Sequence, residues 1–462
     1  MKLCVNDIIK AVDGKCLNPE LLDNERLILD IVTDSRNITP ESLFIPLRGE
    51  NFDGHLFIKD VYDKGSIVTL TMEESVVDAR LCTIFVKDTG KALLDLGHFY
   101  RQKFDIPVIG ITGSVGKTST KEIVAAILSG KYNVHKTEGN YNNEIGVPLT
   151  LFKLRPEHEV AVIEMGMNHF GEIHNLSYAA SPNMGIITNI GTSHIENLGS
   201  REGILKAKLE ILDGMQQPGK LIVCGDNDLL GHLTSEKVEV ISYGFSSHQP
   251  YHAQCITSEG EITKAFITTP NGAYDIAINA LGEHMIYNVL AGIAIAQALG
   301  LSETEIKQGL KNYAPAKMRM HITDGKNGMT LIDDTYNASP ESMKAALKVL
   351  KDYQSSGRKV AVLGDMLEQG DFAKVLHESV GEEAASLGID LLCAVGPLAK
   401  HIYDGAQKIG GISVIYYETK EAWIQNKDQF LQAEDTILFK ASRGMHFEEM
   451  LEGLRKVKSD GK

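Results

Sequence analysis

Residues 112–120 read TGSVGKTST and combine glycine, lysine and hydroxyl side chains directly after the apolar run of residues 106–111. If a buried strand delivers this loop and a helix begins near Lys117, backbone N–H groups and the positive end of the helix converge on one point, which suits phosphate. Lys117 can reach the β- and γ-phosphates of a nucleotide, and the Thr118 hydroxyl can hold Mg²⁺.

The loop is a shortened form of the pattern G-x-x-x-x-G-K-[ST], which would need Gly in place of Ile111. A glycine-rich turn followed by a surface lysine is the structural alternative. We predict that the phosphates of ATP are bound by Gly113, Ser114, Gly116, Lys117, Thr118 and Ser119.

The pattern around this loop predicts an α/β protein. From residue 106 onward, apolar runs of strand length alternate with helical patterns, which indicates a doubly wound, mostly parallel sheet. Residues 251–281 alternate apolar and polar side chains around turn signals, so antiparallel strands are expected to join that sheet. A second α/β series begins after Pro315 and is expected to be Rossmann-like.

We therefore expect three domains. The first is a small N-terminal α/β domain of residues 1–104, which contains short strands and brief helices. The central domain spans residues 105–315 and the C-terminal domain spans residues 316–462.

Composition excludes several classes of function. The 462 residues carry a formal net charge of −15, which argues against a broad nucleic-acid surface. The six cysteines are scattered without a C-x-x-C pair, so the sequence supports neither a zinc site nor a disulfide framework. Residues 289–301, the longest nearly uncharged apolar stretch, are fewer than the roughly 20 that a membrane span needs. Without a signal-like N-terminus, the protein is expected in the cytoplasm.

The shortened loop resembles the ATP site of the Mur ligase superfamily. Further segments resemble that family in the same order along the chain: 137–148 (TEGNYNNEIGVP), 164–168 (EMGMN), 191–194 (GTSH), 207–211 (AKLEI), 282–288 (GEHMIYN) and 333–340 (DDTYNASP). Residues 33–36 (TDSR) and 49–55 (GENFDGH) resemble the family's uridine-nucleotide-binding module, which folylpolyglutamate synthetases lack.

The resemblance implies an ATP- and Mg²⁺-dependent amide ligase of peptidoglycan precursor synthesis. It implies that D-alanyl-D-alanine is joined to a UDP-N-acetylmuramoyl-tripeptide through an acyl phosphate. We expect a monomer without nucleic-acid partners, although the sequence leaves the oligomeric state open. Whether the tripeptide ends in lysine or diaminopimelate is left open. The alternatives are another, amino-acid-adding Mur-type ligase, a phosphate-loop nucleotide switch, and a non-enzymatic relative.

The resemblance also implies a metal site. Glu164 would hold Mg²⁺ with Thr118, and His194 and a carbamylated Lys208 would hold a second ion. Each residue also has a structural alternative. Glu164 could cap a turn, a lone histidine is often packed or solvated, and Lys208 could lie on a solvated helix face. With Lys117, these three residues form the predicted catalytic set.

Other contacts follow from the same resemblance. Asn288 would meet the adenine, although it could instead be a polar residue on a helix. Arg319 would reach the ATP phosphates and Asp334 the ribose, although residues 317–320 (KMRM) depart from the family's usual G-R pair. A further set of residues is expected to bind the UDP-sugar peptide, or to lie close to it or to the nucleotide. These are Ser35, Arg36, Asp53, His55, Asn140, Asn142, Tyr336 and Asn337. Residues 364–368 could line the dipeptide pocket or form a plain turn.

Overall fold

The computed structural model describes residues 3–49, 51–75 and 78–456, so Glu50 of the 49–55 segment and residues 457–462 lie outside it. Its first sheet has the order β2-β9-β8-β5-β4 and is parallel except between β2 and β9. The strands of this part are β1 Leu3–Cys4, β2 Lys15–Cys16, β3 Leu27–Ile28, β4 Asp30–Val32, β5 Ser42–Phe44, β6 Arg48–Gly49, β7 Phe52–Asp53, β8 Ser66–Thr71 and β9 Cys82–Phe85. The α-helices are α1 Val5–Ala11, α2 Ile58–Val61 and α3 Thr89–Arg101, with short 3₁₀ turns at Pro19–Leu21 and Gly54–Phe57.

A nine-stranded sheet forms the middle of the chain, in the order β11-β12-β10-β13-β14-β15-β16-β17-β18. It is parallel from β11 to β16 and antiparallel from β16 to β18, which confirms the predicted parallel sheet with appended antiparallel strands. Its strands are β10 Val108–Thr112, β11 Val134–Lys136, β12 Val160–Glu164, β13 Met184–Ile187, β14 Lys220–Cys224, β15 Glu239–Gly244, β16 Tyr251–Glu259, β17 Ile262–Thr269 and β18 Gly272–Ile278.

Helices cover this sheet. They are α4 Lys117–Leu128, α5 Gly146–Leu151, α6 Glu172–Ala180, α7 Ile195–Leu198, α8 Arg201–Leu209, α9 His284–Ala298 and α10 Glu303–Lys311, with a 3₁₀ turn at Glu210–Asp213. Ser302 and Glu305 form a reciprocal capping box at the start of helix α10. Helix α3 packs against α5 and α6, so the core of the first sheet continues into the core of the central one.

The last part of the chain is a six-stranded sheet in the order β19-β20-β24-β21-β22-β23. Only β19 runs antiparallel to its neighbour, which agrees with a Rossmann-like arrangement. The strands are β19 His321–Asp324, β20 Thr330–Asp333, β21 Lys359–Gly364, β22 Leu391–Val395, β23 Ser413–Tyr417 and β24 Thr436–Lys440. The helices are α11 Pro340–Asp352, α12 Ala373–Ser386, α13 Lys400–Ile409, α14 Lys420–Asn426 and α15 Glu448–Glu452, with 3₁₀ turns at Lys326–Gly328, Gly370–Phe372, Lys427–Gln429 and Arg443–Met445.

No helix within the described part of the chain is long and apolar enough to cross a membrane. The most apolar helix, α9, is buried along most of its length between the sheet and α4. Its hydrophobicity therefore serves the core of the central sheet.

A buried histidine holds the turn that follows β21. His377 Nε2 accepts a hydrogen bond from the Met366 N–H at 2.9 Å, and its Nδ1 donates to the Ala373 carbonyl at 2.6 Å. Because Nε2 accepts, the ring is neutral. Burial lowers the pKa of His377 to about 4, although the bond to Ala373 opposes that shift.

This histidine makes stability depend on pH. Below about pH 6.5 the unfolded chain binds a proton at His377 that the folded chain does not bind until about pH 4, so stability falls as the pH falls through that window. The slope is about 1.4 kcal/mol per pH unit. Between pH 7 and pH 5, wild-type protein should lose about 2 kcal/mol more unfolding free energy than His377→Gln does. Urea unfolding at both pH values measures this difference, and parallel losses in the two proteins would contradict it.

Candidate nucleotide and ligation site

The phosphate loop lies between the end of β10 and the start of α4. Gly113 has a φ of +148°, and a Cβ placed there would lie 1.8 Å from Thr188 Oγ1, so only glycine fits. The loop is held against β13 because the Ser114 N–H donates to the Asn189 carbonyl at 3.1 Å and the Val115 N–H donates to Asn189 Oδ1 at 2.9 Å. The predicted loop conformation therefore depends on a neighbouring strand as well as on its own glycines.

Lys117 is the first residue of α4 and points back over the loop. Its Nζ donates to the Gly113 carbonyl at 2.8 Å. Burial lowers the pKa of Lys117, with Glu164 opposing the shift and Arg319 adding to it. A bound polyphosphate would stabilise the charged form and raise that pKa again.

Glu164 ends β12 and is buried. Its Oε1 accepts hydrogen bonds from the Thr118 hydroxyl at 3.1 Å and from Asn142 Nδ2 at 2.9 Å. Its Oε2 lies 3.7 Å from Lys121 Nζ and has no hydrogen-bond partner among the described residues. The carboxylate thus joins α4, the 137–145 loop and β12, and one of its oxygens stays free to bind a ligand.

Lys121 is a site residue that sequence reasoning missed. It is fully buried, and its Nζ lies 3.0 Å from Glu122 Oε1 and 3.4 Å from the Gly139 carbonyl. A lysine in a helix is usually solvated, so its type gave no signal. Its position did, because it lies one turn after Lys117 and therefore on the same face of α4.

The oxygen atoms around Glu164 fit a hard divalent cation. The Thr118 hydroxyl and the Glu164 carboxylate are the kinds of ligand that Mg²⁺ prefers. No cluster of three or more His, Cys, Asp or Glu side chains that could hold a metal occurs in the described ranges. Only Glu164 and His194 of the four predicted ligands are of these residue types, so the predicted metal set stays a prediction.

His194 lies close to these residues, but its ring contacts the C-terminal part of the chain. It lines the same cavity as Lys117, Thr118 and Glu164. Its Nδ1 is 2.6 Å from Glu368 Oε2, without the alignment of a hydrogen bond. His194 thus faces both a cavity and a carboxylate, and its role as a metal ligand stays a prediction.

Lys208 is buried in the last turn of α8, with 1% of its surface exposed. It does not lie on a solvated helix face. Burial, with a smaller contribution from the positive charge of Lys117, holds the pKa of Lys208 well below its usual range. Both causes disfavour the charged form of the Lys208 amine.

Two connected cavities meet at the phosphate loop. One, of about 360 Å³, contains Ser119, Asn288 and Asp334 in its lining. The other, of about 280 Å³, is polar, and its lining includes most of the predicted site residues: Ser114, Gly116, Lys117, Thr118, Asn140, Asn142, Glu164, His194, Arg319, Tyr336 and Asn337. Arg319, Lys440 and the loop residues Val115 and Gly116 line both. A nucleotide could therefore place its base in the first cavity, the nucleotide cavity, and its phosphates in the second, the phosphate cavity.

Arg319 reaches from the C-terminal part into the site. Its Nη2 donates to Thr118 Oγ1 at 3.1 Å, and its guanidinium lies 4.2 Å from the centre of the Tyr336 ring. The unusual surroundings of Arg319 in the sequence therefore do not prevent it from reaching the phosphate loop.

Asp334 is buried and already paired. Its carboxylate accepts from Lys440 Nζ at 2.5 Å and from the Met320 N–H at 3.2 Å. Lys440 also donates to the Asn337 carbonyl at 3.0 Å. Sequence reasoning missed Lys440, although its place at the carboxyl end of a parallel strand was a usable signal.

Asn288 is buried on α9 and does not lie on a solvated helix face. Its Oδ1 accepts from the Thr120 hydroxyl at 3.0 Å, and its Nδ2 lies 3.6 Å from the Met285 sulfur. A contact with adenine stays a prediction, and it is compatible with the position of Asn288 in the larger cavity.

The residues predicted to bind uridine diphosphate are not in the lining of these two cavities. Arg36 is 85% exposed and forms an ion pair of 2.7 Å with Asp34, whose pKa falls to about 2 mainly through this bond. His55 is buried. Its Nδ1 forms a hydrogen bond of 2.7 Å with Asp53 Oδ1, and its Nε2 accepts a hydrogen bond from the Met72 N–H at 3.2 Å. Both ring nitrogens of His55 are thus occupied inside the fold.

Ser35 lies beside this pair, and its carbonyl accepts from Lys64 Nζ at 2.8 Å. The uridine-binding roles of Ser35, Arg36, Asp53 and His55 stay predictions.

The 364–368 segment divides into a structural and a site-facing part. The Asp365 carboxylate accepts from the Ala399 N–H at 2.6 Å and so supports the turn before α13. Glu368, at the other end, is the residue that contacts His194. Asp365 thus has a turn role, and a part of residues 364–368 in a dipeptide pocket stays a prediction.

The chain matches the descriptions of two protein families: the Mur ligase middle domain over residues 111–296 and the Mur ligase glutamate ligase domain over residues 318–443. It is 39% identical to the UDP-N-acetylmuramoyl-tripeptide--D-alanyl-D-alanine ligase of Bacillus subtilis, with 98% of each chain covered. It resembles the crystal structure of MurF from Acinetobacter baumannii, at 33% identity, 98% coverage of both chains and a TM-score of 0.89. It also resembles the MurF ligase of Thermotoga maritima in complex with ADP, at 26% identity, 92% and 96% coverage and a TM-score of 0.81.

The charge balance around Glu164 can be tested through stability. Lys121→Met should lower the free energy of unfolding by about 3 kcal/mol, because it leaves a buried carboxylate without its cation. Lys131→Met, which alters an exposed lysine near the end of the same helix, should change it by about 0.5 kcal/mol or less. Urea unfolding of both variants makes the comparison. Equal effects would mean that Lys121 does not compensate Glu164.

Proposed function

The chain belongs to the Mur ligase family, and we propose that it is an ATP-dependent ligase that joins D-alanyl-D-alanine to UDP-N-acetylmuramoyl-tripeptide in peptidoglycan precursor synthesis. The observation that carries this proposal is the meeting of Lys117, Thr118 and Glu164 with Arg319 of the C-terminal part at one cavity. Such a set can hold a triphosphate beside a carboxylate that is to be activated.

The chemistry has two steps. A carboxylate oxygen of the tripeptide attacks the γ-phosphorus of ATP, so that ADP leaves and an acyl phosphate forms. The amine nitrogen of D-alanyl-D-alanine then attacks the acyl carbon, phosphate leaves, and the amine loses a proton. Lys117 and Arg319 stabilise the negative charge on the phosphoryl oxygens during the first step.

Members of the Mur ligase family use ATP, and we propose that this chain also uses Mg²⁺. Thr118 and Glu164 would hold the ion, because their oxygens are adjacent and Glu164 Oε2 has no hydrogen-bond partner in the described ranges. A bound Mg²⁺ would supply charge neutralisation at the phosphates. His194, in the lining of the same cavity, is the proposed ligand from the 191–194 loop.

We propose that Lys208 acts as a carbamate. Its burial and its lowered pKa favour the neutral amine, and this is the form that reacts with CO₂. The amine nitrogen bonds to the CO₂ carbon and one proton is released, so a carboxylate-like group replaces a potential cation. The carbamate is an anion near Lys117. It would therefore attract Lys117, whereas the ammonium form of Lys208 would repel it.

The placement of the other ligands is also proposed. Asn140 and Asn142 would contact the sugar nucleotide, because both lie in the lining of the phosphate cavity. The remaining proposals are domain boundaries near residues 104 and 316, a monomeric enzyme and a cytoplasmic site of action.

An activity assay tests the proposed function directly. Release of phosphate from ATP should require both a UDP-N-acetylmuramoyl-tripeptide and D-alanyl-D-alanine, and comparing lysine and diaminopimelate tripeptides identifies the substrate. Lys117→Ala should reduce turnover by about a hundred-fold or more, because it removes a charge from the phosphoryl oxygens. Lys131→Ala is the matched control. Phosphate release that is independent of D-alanyl-D-alanine would indicate a nucleotide switch instead.

Lys208 gives a second prediction. Activity should fall after thorough removal of CO₂ and return with bicarbonate, and protein equilibrated with ¹³C-bicarbonate should show a carbamate carbon signal by NMR. Lys208→Arg should lose both the signal and the activity, because arginine keeps the cation. Lys206→Arg changes an exposed lysine of the same helix and should keep both. An active Lys208→Arg variant would contradict the carbamate.

A further inference from the structure

The 191–194 loop (GTSH) connects the phosphate loop to the C-terminal part of the chain. On one side, the Gly191 N–H donates to Ser114 Oγ at 3.0 Å, and Ser193 Oγ donates to the Ser114 carbonyl at 3.4 Å. The loop also carries His194, which lines the phosphate cavity. A displacement of the 191–194 loop would therefore move both the phosphate loop and His194.

Glu341 holds the other side of the loop. It lies in the first turn of α11, and its Oε1 accepts both the N–H of Thr192 at 2.9 Å and the hydroxyl of Thr192 at 3.1 Å. Its Oε2 is buried and has no hydrogen-bond partner among the described residues, and the side chain lines the nucleotide cavity. Two hydrogen bonds to one charged oxygen form a strong contact between the two parts of the chain.

The close approach depends on a glycine. A Cβ added to Gly191 would lie 2.7 Å from both Cδ and Oε1 of Glu341. The φ angle of Gly191 is not in the left-handed region. An alanine at this position would therefore be obstructed by the Glu341 carboxylate and not by its own backbone conformation.

A second contact reinforces the first. His194 and Glu368, whose side chains meet across the same boundary, have φ angles of +64° and +62°. Such angles are uncommon for residues with a side chain and are found at functional sites. Next to this pair, Gly370 packs against Glu196, where an added Cβ would lie 3.0 Å from Cγ.

We propose that Glu341 is a positioning residue that couples docking of the C-terminal part to the phosphate loop and His194. By holding Thr192 it fixes the 191–194 loop, and through Ser114 it supports the phosphate loop in the conformation that binds ATP. In the same docked arrangement, the contact with Glu368 positions the ring of His194. This inference rests on the proposed ligase function, because it assigns the residue that readies the same site for ATP.

Three variants and a control test the coupling. Glu341→Ala should raise the KM for ATP by about ten-fold or more, the factor expected for losing a hydrogen-bonded charged group, with a smaller change in kcat. Glu341→Gln keeps an acceptor oxygen and should recover most of the affinity. Gly191→Ala should also raise the KM, because its methyl group obstructs Glu341. Glu418→Ala removes an exposed carboxylate of the C-terminal part and should behave as wild type.

The double variant is decisive. In a Glu341→Ala background, Gly191→Ala should add little, because the obstructing carboxylate is gone. Small-angle scattering with a non-hydrolysable ATP analogue and Mg²⁺ should show less compaction for Glu341→Ala and Gly191→Ala than for Glu418→Ala, while circular dichroism stays that of wild type.

Two results would overturn the proposal: Glu341→Ala matching Glu418→Ala in both KM and compaction, or Gly191→Ala keeping its full effect in the double variant. Wild-type protein without phosphate release dependent on D-alanyl-D-alanine would instead contradict the proposed function. An active wild type with either overturning result rejects only the role of Glu341.

Discussion

The burial of the Glu164 carboxylate is the constraint on which the candidate site depends. An ionised carboxylate in a low-dielectric interior costs several kcal/mol unless cations and hydrogen-bond donors surround it. Here Lys121 supplies the cation, and Thr118 and Asn142 supply the donors. These partners come from α4 and from the 137–145 loop, which carries Asn140 and Asn142. The contacts that compensate the charge of Glu164 therefore also hold the phosphate loop beside the 137–145 loop. Among the described residues, Oε2 has no hydrogen-bond partner, and the Lys121 ammonium lies 3.7 Å from it.

Three lysine amines, of which Lys208 and Lys440 are buried and Lys117 is half-buried, form the complementary half of the site. Lys117, Lys208 and Lys440 all have pKa values lowered first by burial. Within the described part of the chain, Lys440 alone of these three has a close carboxylate partner, Asp334. Lys117 instead donates to a carbonyl, and Lys208 has only the repulsion of Lys117 beside its desolvation. A site with this excess of poorly compensated amines favours anionic ligands, in a chain whose net charge is −15.

Much of the fold could be predicted because its signals are local. The runs that became β10, β12, β13 and β14 are continuous and apolar, as expected of strands buried on both faces of a parallel sheet. The capping box at Ser302 and the turn glycines of β16 to β18 likewise lie within a few residues of the elements they limit. Strand β23 is an edge strand of its sheet, and none of its residues is fully buried.

The sequence by itself determined where the phosphate loop lies, because strand, glycines, Lys117 and helix are contiguous, whereas the loop conformation also depends on Asn189 after β13. It also determined the family, through motifs in a fixed order. Tertiary structure alone decided which charges meet. Lys121 looks like a solvated lysine until the fold buries it against Glu164, and Thr192 meets Glu341 across a separation of 149 residues. The physical reason is that burial and electrostatic pairing depend on distances in space, which local sequence patterns do not encode.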